Sequence, residues 1–394
     1  TASSGGTHAA IGADMDSFLD NDIARGANIR RVTVRNNSLN GIWLLAQSNG
    51  FIEPTDATPM PDNPSTLGGS QNYALFQPLP IIVLAQLIVG QQFHVNTGGN
   101  TSFITNRLYV DSGSMIKFNR GSSIAVLNPG ASINVGSRDY ITKFDLDNNY
   151  GPGSANFKAL SANDPQVLFT SLFDDKVTTS LVPTPINVTG ETTQPTLGAS
   201  MWGSIGIQSG ALAVINAATF VYGGGSVNTQ QFTLPSQSVL SFITNQTFFN
   251  TPFAGGDLGT RVYVTNNNFY SNFDAAMQIE PDGLIVGDTL RPLVSGHPFL
   301  RGNVMQGNGI DGLAVIANRS YLQNASAGYA YVGPREANLS PFSGGNQTVN
   351  ALWDLTDITY VVRGTIVLAG AYNGGGPAPV PDPNGYTTPP APST

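Results

Sequence analysis

The sequence predicts an all-β protein of one kind: a parallel β-helix, a solenoid with about three short strands per coil. Three observations lead there. Spaced asparagines recur at the ends of short apolar strands. Glycines punctuate apolar runs at near-constant intervals. The composition suits stacked strands and tight corners but not helices.

The asparagine pattern is clearest between Gly259 and Val315. Val262-Tyr-Val-Thr-Asn-Asn-Asn268-Phe-Tyr-Ser-Asn272-Phe-Asp-Ala-Ala-Met277 and Pro298-Phe-Leu-Arg-Gly-Asn303-Val-Met-Gln-Gly-Asn308-Gly-Ile-Asp-Gly-Leu313 read alike. Each is a short strand, an Asn, a few residues, a second Asn, a turn and a new strand. A third copy lies upstream at Ile29-Arg-Arg-Val-Thr-Val-Arg-Asn36-Asn-Ser-Leu-Asn40-Gly-Ile42. Asn tolerates the left-handed backbone of a sharp corner. Its amide also bonds to an Asn one coil above, building a ladder. Ordinary hairpin turns are the plainer reading, since Asn-Gly also marks hairpins. The recurrence together with flanking apolar residues favours the solenoid.

Residues 107–136 give the strand spacing. Gly113, Gly121 and Gly130 each stand just before an apolar run, at Met115–Phe118, Ile124–Leu127 and Ile133–Val135. Three such strands make one coil of roughly 25 residues. Side chains alternate along a strand, so Ile124, Val126, Ile133 and Val135 are expected to point inward.

Composition sets further bounds. The chain has 394 residues, of which 11% are charged and 40% hydrophobic, with 45 Gly and 26 Pro. It is too long for one compact core and too apolar for disorder. A net charge of −8 argues against nucleic-acid binding, which needs a basic face. It also argues against docking on anionic lipid. There is no cysteine, so disulfides, thiolate metal sites and a Cys nucleophile are excluded. The longest apolar run, Leu79–Val89, is too short to cross a bilayer and contains Pro80, so it reads as buried strand. A chain that opens on Thr1 is expected to be a processed form or a segment of something longer.

In chain order, residues 1–27 read as an N-terminal cap carrying Asp14, Asp16, Asp20 and Asp22. Residues 28–370 form the β-helix. Its loop insertions fall near 53–72, 174–200, 226–258 and 317–347. The first holds Pro54, Pro59, Pro61 and Pro64, which leave a strand ladder. The coil resumes at Val167–Leu172, Trp202–Ile207, Ala211–Ile215 and Ala218–Tyr222. An apolar strand, Val239–Ile243, lies inside the third insertion. Trp353–Tyr360 and Val361–Leu368 are the last two strands. Residues 371–394 form a Pro- and Gly-rich tail or linker.

Several passages resemble one family. They are Val167-Leu-Phe-Thr-Ser-Leu-Phe-Asp-Asp175, Trp202-Gly-Ser-Ile-Gly-Ile207, Gly302–Leu313 and Trp353-Asp-Leu-Thr-Asp-Ile-Thr359. The chain is similar, over most of residues 10–370, to very large bacterial surface and secreted proteins of planctomycete type. These carry right-handed parallel β-helices of pectate-lyase-like shape. The resemblance implies that hand, and an extracellular or cell-surface setting. It carries over no catalytic residue. Many relatives have an acidic loop after the Asp-Asp pair. Here that segment is Lys176-Val-Thr-Thr-Ser-Leu-Val-Pro183, which speaks against calcium there.

Enzyme chemistry is the competing expectation. A glycoside hydrolase needs two carboxylates about a sugar bond. Asp174-Asp175 and Gly296-His297-Pro298 match the β-helix hydrolase pattern poorly, and the acid pair reads as a solvated loop. A lyase needs a carboxylate-held cation beside a basic residue, and no such cluster stands out. Asp145-Leu-Asp147-Asn-Asn149-Tyr-Gly151 imitates the start of a calcium loop but has Tyr150 and Asn156 where Gly and Glu belong. His8, His94 and His297 are scattered, without metal-ligand spacing. Sequons at Asn187, Asn245, Asn318, Asn324, Asn338 and Asn346 suit a chain rich in Asn and Thr. Tyr263, Phe269, Tyr270 and Phe273 are either core and surface residues or a sugar-stacking stripe.

The expectation is a non-enzymatic structural protein with no catalytic, cofactor or metal site. It self-associates end to end or laterally, as a filament subunit or adhesin, with surface glycans as a further partner. It binds no nucleic acid and enters no membrane. The alternatives are a polysaccharide lyase or hydrolase and a carbohydrate-binding module.

Overall fold

The computed structural model describes residues 9–13, 32, 34, 39–44, 71–75, 79–84, 86–89, 91–94, 101–104, 106–126, 131–136, 167–179, 182, 185, 186, 188, 195–198, 201–208, 211–228, 233, 234, 237–243, 261–279, 299–316, 329–332, 356–363 and 365–368. Among these residues every regular element is a strand and none is a helix.

Three parallel sheets hold most of the strands. The eight-stranded sheet runs Ala9–Ala13, Leu39–Leu44, Ile81–Val83, Met115–Phe118, Val167–Ser171, Ala218–Val221, Asn268–Tyr270 and Val304–Gln306. The seven-stranded sheet runs Gln86–Val89, Ser123–Val126, Ile205–Gln208, Leu240–Ile243, Ala275–Ile279, Ile310–Ile316 and Tyr360–Arg363. The six-stranded sheet runs Gln71–Leu75, Asn106–Asp111, Ser132–Gly136, Leu212–Asn216, Arg261–Thr265 and Phe299–Arg301. Within each sheet, spatial order is chain order. Between Gln71 and Ile316 the chain visits the six-, eight- and seven-stranded sheets in that order, six times over.

Like stacks on like across these pairings. In the seven-stranded sheet Leu87, Ile124, Ile205, Leu240, Met277 and Leu313 follow one another in register. All are buried, and all join one continuous core. In the six-stranded sheet Val135, Ile215, Val264 and Leu300 do the same. The eight-stranded sheet carries an aromatic column. Phe169, Phe220 and Phe269 are in register. Their ring centroids lie 4.9 and 4.8 Å apart, nearly parallel. Phe118 extends the column at 6.3 Å from Phe169, and Trp202 stacks on Phe118 at 4.6 Å. Such contacts add about 0.5–1.5 kcal/mol per pair beyond burial.

The strands of residues 107–136 fall where the glycine spacing puts them, at Met115–Phe118, Ser123–Val126 and Ser132–Gly136. Ile124, Val126, Ile133 and Val135 are buried in the core, as the alternation predicts. Other boundaries differ. The apolar run Leu79–Val89 is two strands of two different sheets, Ile81–Val83 and Gln86–Val89, with a corner between them. The insertion expected near 53–72 overlaps the strand Gln71–Leu75. The one near 226–258 contains a core strand, Leu240–Ile243, after the small antiparallel pair Val227–Asn228 and Thr233–Leu234. The one near 317–347 contains Tyr329–Val332, paired parallel to Thr365–Leu368. The strand in the 226–258 stretch is the one the sequence marks at Val239–Ile243, while those at Gln71–Leu75 and Tyr329–Val332 were hidden by polar flanks. Most of the cap at 1–27 and the whole tail at 371–394 lie outside the described residues.

Candidate functional site

The asparagines build two ladders where the six- and eight-stranded sheets meet and where the eight- and seven-stranded sheets meet. In the first, Asn267 is fully buried. Its Oδ1 accepts the Ala218 N–H at 2.9 Å, and its Nδ2 donates to Ile215 O at 3.0 Å. One rung on, Asn303 Oδ1 accepts both the N–H and the Nδ2 of Asn267, at 3.1 and 3.0 Å. Asn303 Nδ2 donates to Val264 O at 2.8 Å. The second ladder repeats the scheme. Asn272 Oδ1 accepts Gly223 N–H at 2.8 Å, and Asn272 Nδ2 donates to Phe220 O at 3.1 Å. Asn308 Oδ1 accepts from Asn272 N and Nδ2 at 3.2 and 2.7 Å. Each corner thus has its backbone groups satisfied by the rung beside it.

The left-handed residue is not the laddered one. Asn266 and Gly302 take φ of 55° and 63°, and Ser271 and Gly307 take 49° and 68°. The sharp turn therefore precedes each laddered Asn by one position. This corrects the expectation that one Asn does both. It also moves the first rung from Asn268 to Asn267, since Asn268 pairs with Val304 in the sheet. In the upstream copy, Asn40 is buried within Leu39–Leu44 and Asn36 lies outside the described residues.

The second ladder ends on a carboxylate, and another carboxylate binds the turn residue before Asn303. Asp311 Oδ1 accepts Asn308 N and Nδ2 at 2.9 and 2.7 Å, the same two groups that Asn308 accepts from Asn272. Asp311 Oδ2 takes Gly307 N–H at 3.1 Å. Asp357 accepts Gly302 N–H at 3.0 Å and pairs with Arg301 at 2.7 Å. Partial burial pulls both carboxyls upward. The donated hydrogen bonds, with the Arg301 charge at Asp357, outweigh it and hold both below the ordinary aspartate value. A polar cavity of about 170 Å³ opens here, lined by Leu300, Asn303, Met305, Asp311, Asp357 and Thr359 among others. Among the described residues no group of three or more His, Cys, Asp or Glu is placed to hold a metal ion.

Beside this cavity lies Val304–Gln306, the last strand of the eight-stranded sheet. Val304 is 48% exposed, and Gln306 is exposed as well. Nearby, Arg363 grips the buried carboxylate of Asp274 with both guanidinium nitrogens, tying the last strand of the seven-stranded sheet to the corner after Asn272.

A second cluster was missed by sequence reasoning. Lys117 alternates with Ile116 and Phe118 and so points away from the core. Its side chain is nevertheless 1% exposed. Leu172, Val182 and Val188 cover that face, with Leu172 and Val188 packed on Leu39 and Ile82, and Val182 packed on Met115 and Leu168. Lys117 Nζ donates to the Asp174 carbonyl oxygen and lies 3.4 Å from Asp175 Oδ1. Thr170 donates to Asp174 Oδ2 at 2.7 Å, and Val188 N–H donates to Asp175 Oδ1 at 2.8 Å. Desolvation pushes the Lys117 pKa down, against the pull of both carboxylates. Desolvation likewise pushes Asp174 up, against Thr170 and Lys117. The solvated acid pair expected at 174–175 is therefore a buried ion cluster. The signal for it was the run of apolar residues Leu172, Val177, Val182, Ile186 and Val188 in an otherwise Thr- and Pro-rich stretch.

The other candidates separate. His8, His297, Asp145–Gly151 and the six named sequons lie outside the described residues. His94 ends the strand Gln91–His94, paired antiparallel to Thr101–Ile104. Tyr263 and Phe269 are buried, Tyr270 is half-buried and Phe273 is exposed, so the four make no continuous outer stripe.

No protein-family model matches this chain, and neither the curated proteins nor the solved structures yield a match.

Proposed function

We propose that the chain is a non-catalytic structural element of a cell surface or extracellular matrix. In this reading the three sheets are the faces of a right-handed parallel β-helix, a rigid shaft that joins other copies of itself. The observation that carries it is the cyclic visiting of three parallel sheets, rung upon rung, with core columns and Asn ladders in register. A right-handed path is the one that twisted parallel strands favour. The surface setting follows from the resemblance to large bacterial surface proteins.

The exposed strand Val304–Gln306 supports the assembly. An open strand edge templates further pairing, and a head-to-tail contact that does not close propagates into a filament. The burial of Asp174 and Asp175 speaks for the structural role over the hydrolytic one, because a glycosidase needs its carboxylates at the sugar bond.

Sedimentation velocity across a concentration series tests this, with electron microscopy of the same samples. The expected result is concentration-dependent growth into rods, reduced in Val304→Lys, which places a charge on the edge. A wild-type chain that stays monomeric at the highest concentration overturns the assembly. Release of reducing ends or unsaturated products from a sugar polymer overturns the non-catalytic role.

A further inference from the structure

The buried cluster at Lys117 has the parts of an amide-forming site. We infer that Lys117 and Asp175 are joined, after folding, by a covalent amide bond between Nζ and Cγ, with Asp174 as the proton carrier. The bond ties the eight-stranded sheet to the segment that covers it.

The geometry has three components. The first is an amine held without water against a carboxyl. Lys117 Nζ is 3.4 Å from Asp175 Oδ1, with side chains 1% and 9% exposed. Burial favours the neutral amine, which is the nucleophilic form. The second is a carboxyl whose two oxygens are already distinguished. Oδ1 accepts the Val188 N–H at 2.8 Å. Oδ2 is buried with no hydrogen-bond partner among the described residues. The third is a neighbouring buried acid, Asp174, whose pKa burial pushes up and which Thr170 holds through Oδ2 at 2.7 Å.

The step balances without a co-reactant. A proton passes from the ammonium to the Asp175 carboxylate, leaving amine and carboxylic acid. Nζ attacks Cγ and a C–N bond forms. Charge develops on Oδ1, where the Val188 N–H stabilises it as an oxyanion donor does. Asp174 gives a proton to the Oδ2 hydroxyl, which leaves as water when the C–O bond breaks. The nitrogen returns a proton to Asp174. The products are one amide and one water, and Asp174 is unchanged. The oxygen retained by the amide is the one that Val188 already binds. An ion pair buried at this depth repays its desolvation poorly, and condensation removes both charges.

The test is the intact mass of the purified wild-type chain, with a tryptic map. The expected mass is lighter than the sequence by one water. Trypsin fails to cut after Lys117, and fragmentation finds a branched peptide joining residues 117 and 175. Lys117→Arg and Asp175→Ala are expected to show the full sequence mass, and Asp174→Ala a largely unreacted one. A wild-type mass equal to the sequence overturns the inference, whether or not the variants fold. So does a water loss confined to one linear peptide, which marks a cyclic imide instead. Neither outcome bears on whether the chain assembles into filaments.

Discussion

Removing the amide of Asn272 should cost far more than its size suggests. Asn272 is 1% exposed and serves three rungs at once. Asn272→Ala strands the Gly223 N–H, whose acceptor was Asn272 Oδ1 at 2.8 Å. A buried donor left unmet costs about 1–3 kcal/mol. Phe220 O loses its donor at 3.1 Å. Asn308 Oδ1 loses one of two donors but keeps the Asn272 backbone N–H. With about 1 kcal/mol for the bonds lost outright, the sum is about 3 kcal/mol. Asn308→Ala touches a half-buried outer rung, where water replaces the lost partners, and should cost about 1 kcal/mol. Urea denaturation midpoints of wild type, both single variants and the double variant measure this. The double-mutant coupling is expected between about 0.5 and 3 kcal/mol. An Asn272→Ala variant within about 0.5 kcal/mol of wild type would refute the reasoning, since that is the range of surface changes away from any such feature.

Two further outcomes follow from the described contacts. Asp311 is held below its ordinary value, so the folded state binds its proton less readily than the unfolded one; its contribution is complete above about pH 4 and is lost as pH falls through the folded value. Thermal melts should therefore show a steeper acid loss in wild type than in Asp311→Asn, and equal slopes would count against the ladder cap. Phe220 sits between Phe169 and Phe269 with no exposure; Phe220→Ala should cost about 3–5 kcal/mol and Phe220→Leu clearly less, as read from chemical denaturation.

Much of the architecture was legible before any coordinate. The glycine-spaced runs of residues 107–136 located three consecutive strands, because a corner residue and an alternating apolar pair are both local signals. The laddered pair Asn303 and Asn308 was legible for the same reason. Its partner was not. Three consecutive asparagines, Asn266, Asn267 and Asn268, offer three registers, and only the backbone geometry assigns the turn to the first and the ladder to the second. Lys117 was illegible for a different reason. Alternation turns it away from the core, and that reading is right; what the strand cannot announce is that Leu172, Val182 and Val188, distant in sequence, return to roof it. Asp311 and Asp357 look like any surface acids until the donors that converge on them are seen.

The junction between the six- and eight-stranded sheets varies greatly in length along the chain. At one rung only Ala217 separates Leu212–Asn216 from Ala218–Val221; at an earlier rung residues 137–166 intervene between Ser132–Gly136 and Val167–Ser171. The strands on either side stay aligned in both cases. Since the entropy of closing a loop grows only slowly with its length, such a junction is a natural splice point, where foreign peptide can be displayed while the scaffold beneath goes undisturbed.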